Sequence, residues 1–352
     1  MNKICSLLLV LSVCCHTSAQ ETLVRADEVI KDFMSETPLP GLAVTVMQGD
    51  QIIWSQGYGY SDLENKVPVM PDQSLFRIGS ISKPFTAAAM GRLHDQGKLD
   101  LDKDIREYVN YFPEKEYPVT VRQIAGHLGG IRHYFGAENF NTTQYKNVRH
   151  GLSIFKDDPL IAEPGTQYNY SSYGWNLLSA AVEEIAEQDF LSYMRDSVFA
   201  PLGMDHTHPD ALDIILPGRG RYYIKSGDGF ANSPYVNNSY KWAGGGFLST
   251  SNDVAHFGRQ HLQNEYLTAS TFAEWTKPHQ TRDGKSTSYG IGWRSETDER
   301  GYQWVGHSGG SVGGTTMLYC YPEQDLVVAM IVNLTGAQIG LLARKIAWTF
   351  LD

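Results

Sequence analysis

The 352-residue chain carries 39 acidic against 29 basic residues, a formal net charge of −10. That balance argues against nucleic acid and anionic membrane surfaces as partners. Hydrophobic residues make up 42% of the chain, enough to build a large core and too many for intrinsic disorder.

Residues 1–19 read as a secretory signal: Lys3, an apolar run over residues 4–13, then Thr17-Ser18-Ala19 as a small-residue cleavage site. The run is too short to span a bilayer, so no stable membrane insertion is expected, and the mature chain is placed in a secreted or periplasmic compartment. Leu11-Ser12-Val13-Cys14 is a poor lipoprotein signal, because Val13 stands where a small residue is usual. Cys5, Cys14 and Cys15 leave with the signal. Cys320 then stands alone, no intramolecular disulfide can form, and its strand-like surroundings make it a packing residue.

An amphipathic helix over about residues 23–34 opens the mature part. Residues 41–47 and 51–55 flank Gly49-Asp50 as a hairpin. Helical periodicity follows over 86–96, 121–127, 173–186 and 190–199. Strands are expected at 289–293, 303–305, 315–321 and 326–334, and a last helix at 338–350. Strands at both ends with helices between them imply an α+β fold whose termini share one antiparallel sheet flanked by helices. Residues 20–79 and 251–352 form the sheet-containing part of one catalytic unit, residues 80–250 an inserted, mainly helical part, and the site lies between them.

Ser80-Ile81-Ser82-Lys83 precedes the alanine-rich run Pro84-Phe85-Thr86-Ala87-Ala88-Ala89-Met90. On a helix, residues three apart stack, which sets the Lys83 amine beside the Ser80 hydroxyl. Serine needs a neighbour to take its proton, and lysine serves once burial or another cation lowers its pKa. A second match, Ser153-Ile154-Phe155-Lys156, runs into Asp157-Asp158-Pro159, so it reads as a surface serine. Tyr170-Ser171-Ser172 puts a phenol and a hydroxyl on a loop ahead of a helix, and a tyrosine whose pKa is lowered by an adjacent ammonium can act as a base. His307-Ser308-Gly309-Gly310 forms a nearly bare strand edge whose N–H groups can hold an oxyanion or an extended substrate.

These three motifs, in this order, resemble the penicillin-recognising serine hydrolases: class C β-lactamases, serine DD-peptidases and their esterase relatives. Leu202-Gly203-Met204, the run Gly244-Gly245-Gly246-Phe247-Leu248-Ser249-Thr250, Tyr289-Gly290-Ile291-Gly292-Trp293 and His127-Leu128-Gly129-Gly130-Ile131-Arg132-His133-Tyr134 extend the likeness over nearly the whole mature chain. The resemblance implies a β-lactamase/transpeptidase-like fold and an acyl-enzyme hydrolysis of a small-molecule or peptide amide or ester, with no cofactor. It implies Ser80 as nucleophile, Lys83 as proton acceptor and Tyr170 as partner base. Ser172, His307, Ser308, Gly309 and Gly310 would line the substrate, and the N–H groups of Ser80 and Gly310 would form the oxyanion hole. The alternatives are a true class C-like β-lactamase and a catalytically weak binding or assembly protein on the same fold.

Two departures from the family pattern bear on substrate. His307 stands where a lysine usually helps bind a substrate carboxylate, and Ser172 where asparagine is common. Imidazole titrates near ~6.5, so carboxylate binding is expected to be weaker and pH-dependent, and neutral esters or peptides to be better substrates than penicillins. His206-Thr207-His208-Pro209-Asp210 spells a zinc-like H-x-H-x-D without the rest of such a site, so no metal is expected. His127 and His133 read as structural, and Glu163 lacks the surroundings of a deacylating glutamate.

Overall fold

The computed structural model describes residues 4–352, with side chains from Gln20 onward; the expected signal segment, residues 1–19, lies outside the residues so described. Helices α1 (Ile4–Glu36), α2 (Ser82–Asp95), α3 (Ser172–Ala186), α4 (Ser251–Leu262) and α5 (Gly340–Leu351) cover the sheet or frame the site. Among the described residues no helix is long and apolar enough to cross a membrane.

The two ends of the chain meet in one seven-stranded sheet. Strands β1 (Gly41–Gln48), β2 (Gln51–Asp62) and β3 (Val67–Pro68) come from the N-terminal side. Strands β4 (Arg294–Thr297), β5 (Gln303–Ser311), β6 (Gly314–Tyr321) and β7 (Leu326–Val332) come from the C-terminal side. The order is β3-β2-β1-β7-β6-β5-β4, antiparallel throughout, and Leu42 lies opposite Val332 across the β1–β7 join.

Strand β7 is buried along its whole length, because helices cover both faces of the sheet. Alternate side chains point to opposite faces. Leu326, Val328, Met330 and Val332 pack with Ala26 and Ile30 of α1 and Leu342 and Ile346 of α5, while Val327, Ala329 and Ile331 pack with Val254 and Phe257 of α4. That is why the strand reads as a continuous apolar run rather than an alternating one.

Ser80 belongs to a 3-10 turn, Gly79–Ile81, that leads directly into α2. Pro84 falls in the first turn of α2, where backbone N–H groups lack helical partners, and Ala87, Ala88 and Ala89 let the helix run through the core. Just upstream, Phe76–Arg77 pairs with Phe247–Ser249, itself paired with His208–Pro209. The buried Arg77 guanidinium bonds Asp210 Oδ2 and the Val312 carbonyl, each at 2.7 Å. The chain entering the serine is thereby tied to the β5–β6 turn.

Residues 289–293 do not form the expected strand. Apolar residues alternating with glycine imitate a period of two, but Gly292 has φ +78, and a Cβ at Gly290 would lie 2.2 Å from the Trp275 carbonyl oxygen. The segment is a buried turn, with Ile291 N–H donating to that carbonyl at 2.7 Å, and the strand begins only at Arg294.

Candidate active site

Lys83 is fully buried, and its Nζ lies 2.9 Å from Ser80 Oγ, 3.0 Å from Ser172 Oγ and 2.6 Å from the Gly244 carbonyl oxygen. Burial first, and the charge of Lys241 second, hold this ammonium well below its usual range. A neutral amine has two N–H groups and one lone pair. The Gly244 carbonyl can only accept, so it takes one N–H; with the other directed to Ser172, the lone pair faces the Ser80 hydroxyl. The Ser80 side chain itself is partly exposed.

Tyr170 also borders this group, with its ring centre 4.8 Å from Lys83 Nζ. The expectation of a lowered tyrosine pKa is corrected here. Burial pushes the phenol up, the nearby Ser80 hydroxyl only partly offsets this, and Tyr170 is a neutral O–H at physiological pH. The loop carrying it is held by the two histidines of residues 127–134. Ser171 N–H donates to His127 Nδ1 and Ser172 N–H to His133 Nδ1, both at 3.1 Å. Ser171 Oγ donates to the Arg132 carbonyl at 2.7 Å and accepts from Gly174 N–H, capping α3. Both imidazoles are held neutral by burial, His133 down to about 4. They clamp backbone N–H groups of that loop, a structural role.

The third motif forms the far half of β5. Strand β4 pairs with β5 only as far as Gly306, opposite Arg294, so the edge from His307 to Ser311 lies uncovered by a neighbouring strand on that side. Gly309 is obligatory there, since a Cβ would sit 1.9 Å from the Ile78 carbonyl oxygen. This contact brings the edge against the backbone that carries Ser80. Ser308 and Gly310 are exposed.

His307 differs from expectation. It is 3% exposed, its Nδ1 lies 2.6 Å from the Ser308 carbonyl oxygen and its Nε2 2.9 Å from the Tyr289 hydroxyl. The carbonyl can only accept, so Nδ1 carries the proton and Nε2 accepts from the phenol. Burial lowers this imidazole to about 3. The titrating carboxylate binder expected at this position is therefore a neutral residue turned inward to Tyr289. In histidine-labelled protein the His307 ring resonances, assigned with His307→Gln, are expected to stay fixed between about pH 5.5 and 8.5. A midpoint near ~6.5 would restore the titrating role.

Other sequence features fall elsewhere. Ser153 caps the end of the helix Val148–Leu152 and donates to His150, while Lys156 pairs with Asp157, so the second serine–lysine match brings no amine to its serine. Cys320 is buried in β6 and its thiol is pushed up by burial. Glu163 pairs with Arg282 at 2.7 Å. The carboxylate of Asp210, in the zinc-like run, is taken by Arg77, Arg219 and Asn238. The groups that sequence reasoning missed are the Gly244 carbonyl, Tyr289 and Lys241. Gly244 and Tyr289 lie in runs that carry the family likeness, while Lys241 has no local signal.

A serine hydroxyl 2.9 Å from a buried lysine amine, at the junction of an antiparallel sheet and a helical region and beside an uncovered strand edge, fits a serine hydrolase of the penicillin-recognising type. Residues 26–347 match the Beta-lactamase family model, and the chain belongs to that family. It is 31% identical to the human serine beta-lactamase-like protein LACTB, mitochondrial, over 93% of this chain and 80% of the human one. Among solved structures it resembles the octameric penicillin-binding protein homologue from Pyrococcus abyssi, with TM-score 0.79 and 24% identity over 93% of this chain and 76% of that one. It also resembles a D-stereospecific amidohydrolase from Streptomyces sp., with TM-score 0.75 and 22% identity over 94% and 97% of the two chains.

Proposed function

We propose that the chain is an exported hydrolase that forms an acyl-enzyme on Ser80 and cleaves a small amide or ester. The observation that carries this is the buried Lys83 amine 2.9 Å from Ser80 Oγ. Ser80 Oγ attacks the substrate carbonyl as its proton passes to Lys83. The N–H groups of Ser80 and Gly310 hold the tetrahedral oxyanion. Collapse expels the amine or alcohol, which takes the proton held by Lys83, with Tyr170 beside it, and water then releases the acid. The uncovered edge of β5 suits an extended substrate lying antiparallel to it.

The absence of a lysine at the His307 position leaves a penicillin carboxylate without its usual partner, which favours neutral esters and D-amino-acid amides over β-lactams. The Streptomyces neighbour, a D-stereospecific amidohydrolase, supports the amide side of this reading. Export is supported by Lys3, the apolar run over residues 4–13 and Ala19.

Intact-mass spectra of protein made in its own host, challenged with a panel of esters, D-amino-acid amides and penicillins, test all three points. The expected mass begins at Gln20, and the expected adducts come from esters or amides and map to Ser80. An adduct on Ser153 or Cys320, or none from any compound, overturns the mechanism. A chain retaining Met1 overturns the export, and faster acylation by penicillins than by esters makes the protein a β-lactamase.

A further inference from the structure

Lys83 is not the only lysine withdrawn from water. Lys241 is 3% exposed, yet among the described residues no carboxylate pairs with it. Its Nζ donates to Asn139 Oδ1 at 3.1 Å and stands 5.3 and 5.2 Å from the ring centres of Tyr134 and Tyr240. A buried cation without an anion is costly, and a methionine would fill the same space without that cost. Packing alone does not account for a lysine here.

Two short routes join it to the acylation base. Along the backbone, the Lys241 carbonyl accepts from Gly244 N–H at 3.2 Å and from Gly245 N–H at 2.9 Å, which holds the turn whose Gly244 carbonyl binds Lys83 Nζ. Through side chains, the Tyr134 ring that packs on Lys241 also lies against the His133 ring, His133 Nδ1 accepts from Ser172 N–H, and Ser172 Oγ contacts Lys83 Nζ at 3.0 Å. With His307 bonded as a neutral imidazole, the charge bearing on Lys83 is that of Lys241.

We propose that Lys241 is a positioning residue for acylation, a buried cation that keeps the Lys83 amine unprotonated and its lone pair free for the Ser80 proton. This rests on the acyl-enzyme reading above. Two like charges in a poorly solvated interior repel strongly, so the protonated form of Lys83 is disfavoured while Lys241 holds its proton, as for other amines activated beside a second cation.

The remaining groups around the pair do not supply that charge. Facing Lys83, the imidazoles of His127, His133 and His307 are held neutral, and the phenols of Tyr170 and Tyr134 are pushed up by burial. Facing Lys241, Arg77 and Asp210 are bonded to each other at 2.7 Å. Glu138, beyond the two tyrosines, is paired with Arg132 at 2.7 Å. Burial and Arg77 lower Lys241 to about 7, so the two lysines titrate as a coupled pair. Below neutrality, where Lys83 is at risk of protonation, Lys241 carries its charge.

The test is the second-order rate of Ser80 labelling by a neutral fluorophosphonate from about pH 5 to 9, in wild type, Lys241→Met, Lys241→Gln and Lys241→Arg. In the two neutral variants the acid limb is expected to move up by about one pH unit. Labelling at pH 6 then falls about tenfold relative to wild type, with rates at pH 9 within about threefold, and the arginine variant keeps the wild-type limb. The glutamine variant, which still bonds Asn139, stands in if the methionine variant does not fold. A limb that stays in place in both neutral variants, or that moves as far in the arginine variant, overturns the proposal. Wild-type protein that is unlabelled at every pH removes the acyl-enzyme reading itself, a result distinguishable from an unmoved limb.

Discussion

Ser80→Ala is expected to abolish covalent labelling and to lower kcat/KM on a small ester by about 10⁴-fold or more, the scale seen when a hydrolytic nucleophile is removed. Ser80 Oγ is the hydroxyl that combines partial exposure, contact with a buried amine and proximity to the bare β5 edge. Ser153, at the exposed end of its helix, donates to a local carbonyl and has no amine beside it. Ser153→Ala is therefore expected to label and turn over as wild type does. Peptide mapping of the trapped adduct with paired kinetics decides the matter, and a Ser80→Ala protein that keeps more than a few per cent of its activity would falsify the assignment.

Lys83→Met should slow acylation by about 10³-fold, within the range for loss of a positioned general base, and should leave the thermal midpoint unchanged or raise it. The second half of this expectation follows from burial. The amine is fully enclosed, its ammonium form is disfavoured there, and an unbranched apolar chain of similar length fits the same channel with fewer polar groups to satisfy. Stopped-flow acylation and thermal unfolding on the same preparation separate lost chemistry from lost structure. Acylation within a few-fold of wild type would mean that another base serves Ser80, and a large drop in the midpoint would mean that Lys83 is chiefly structural.

The serine, the lysine and the antiparallel sheet were legible in the sequence because each rests on short-range spacing. Three residues on a helix put Ser80 and Lys83 together, and apolar runs at both chain ends announced the strands. What escaped was set by contacts distant in sequence. The neutral state of His307 depends on Tyr289 and on burial under the sheet edge, and the raised pKa of Tyr170 on enclosure by His127, His133 and Tyr289. A histidine or tyrosine in isolation titrates at its solution value, and only the surrounding fold tells which way that value moves. The turn at residues 289–293 was missed for a related reason: its glycines exist to approach the backbone of Trp275 and to adopt a left-handed φ, and neither requirement has a periodic signature.

The pairing of Leu42 with Val332 also sets the order in which the molecule can be built. The N-terminal hairpin leaves the ribosome long before β7 exists, so one edge of β1 waits unpaired through nearly the whole of synthesis, and closing so long a loop makes refolding slow. Ser80 and Lys83 are made early, but the β5 edge reaches them only as the last strands join. Hydrolytic activity is thus a late event in biogenesis, and its appearance reports that the entire chain has closed on itself.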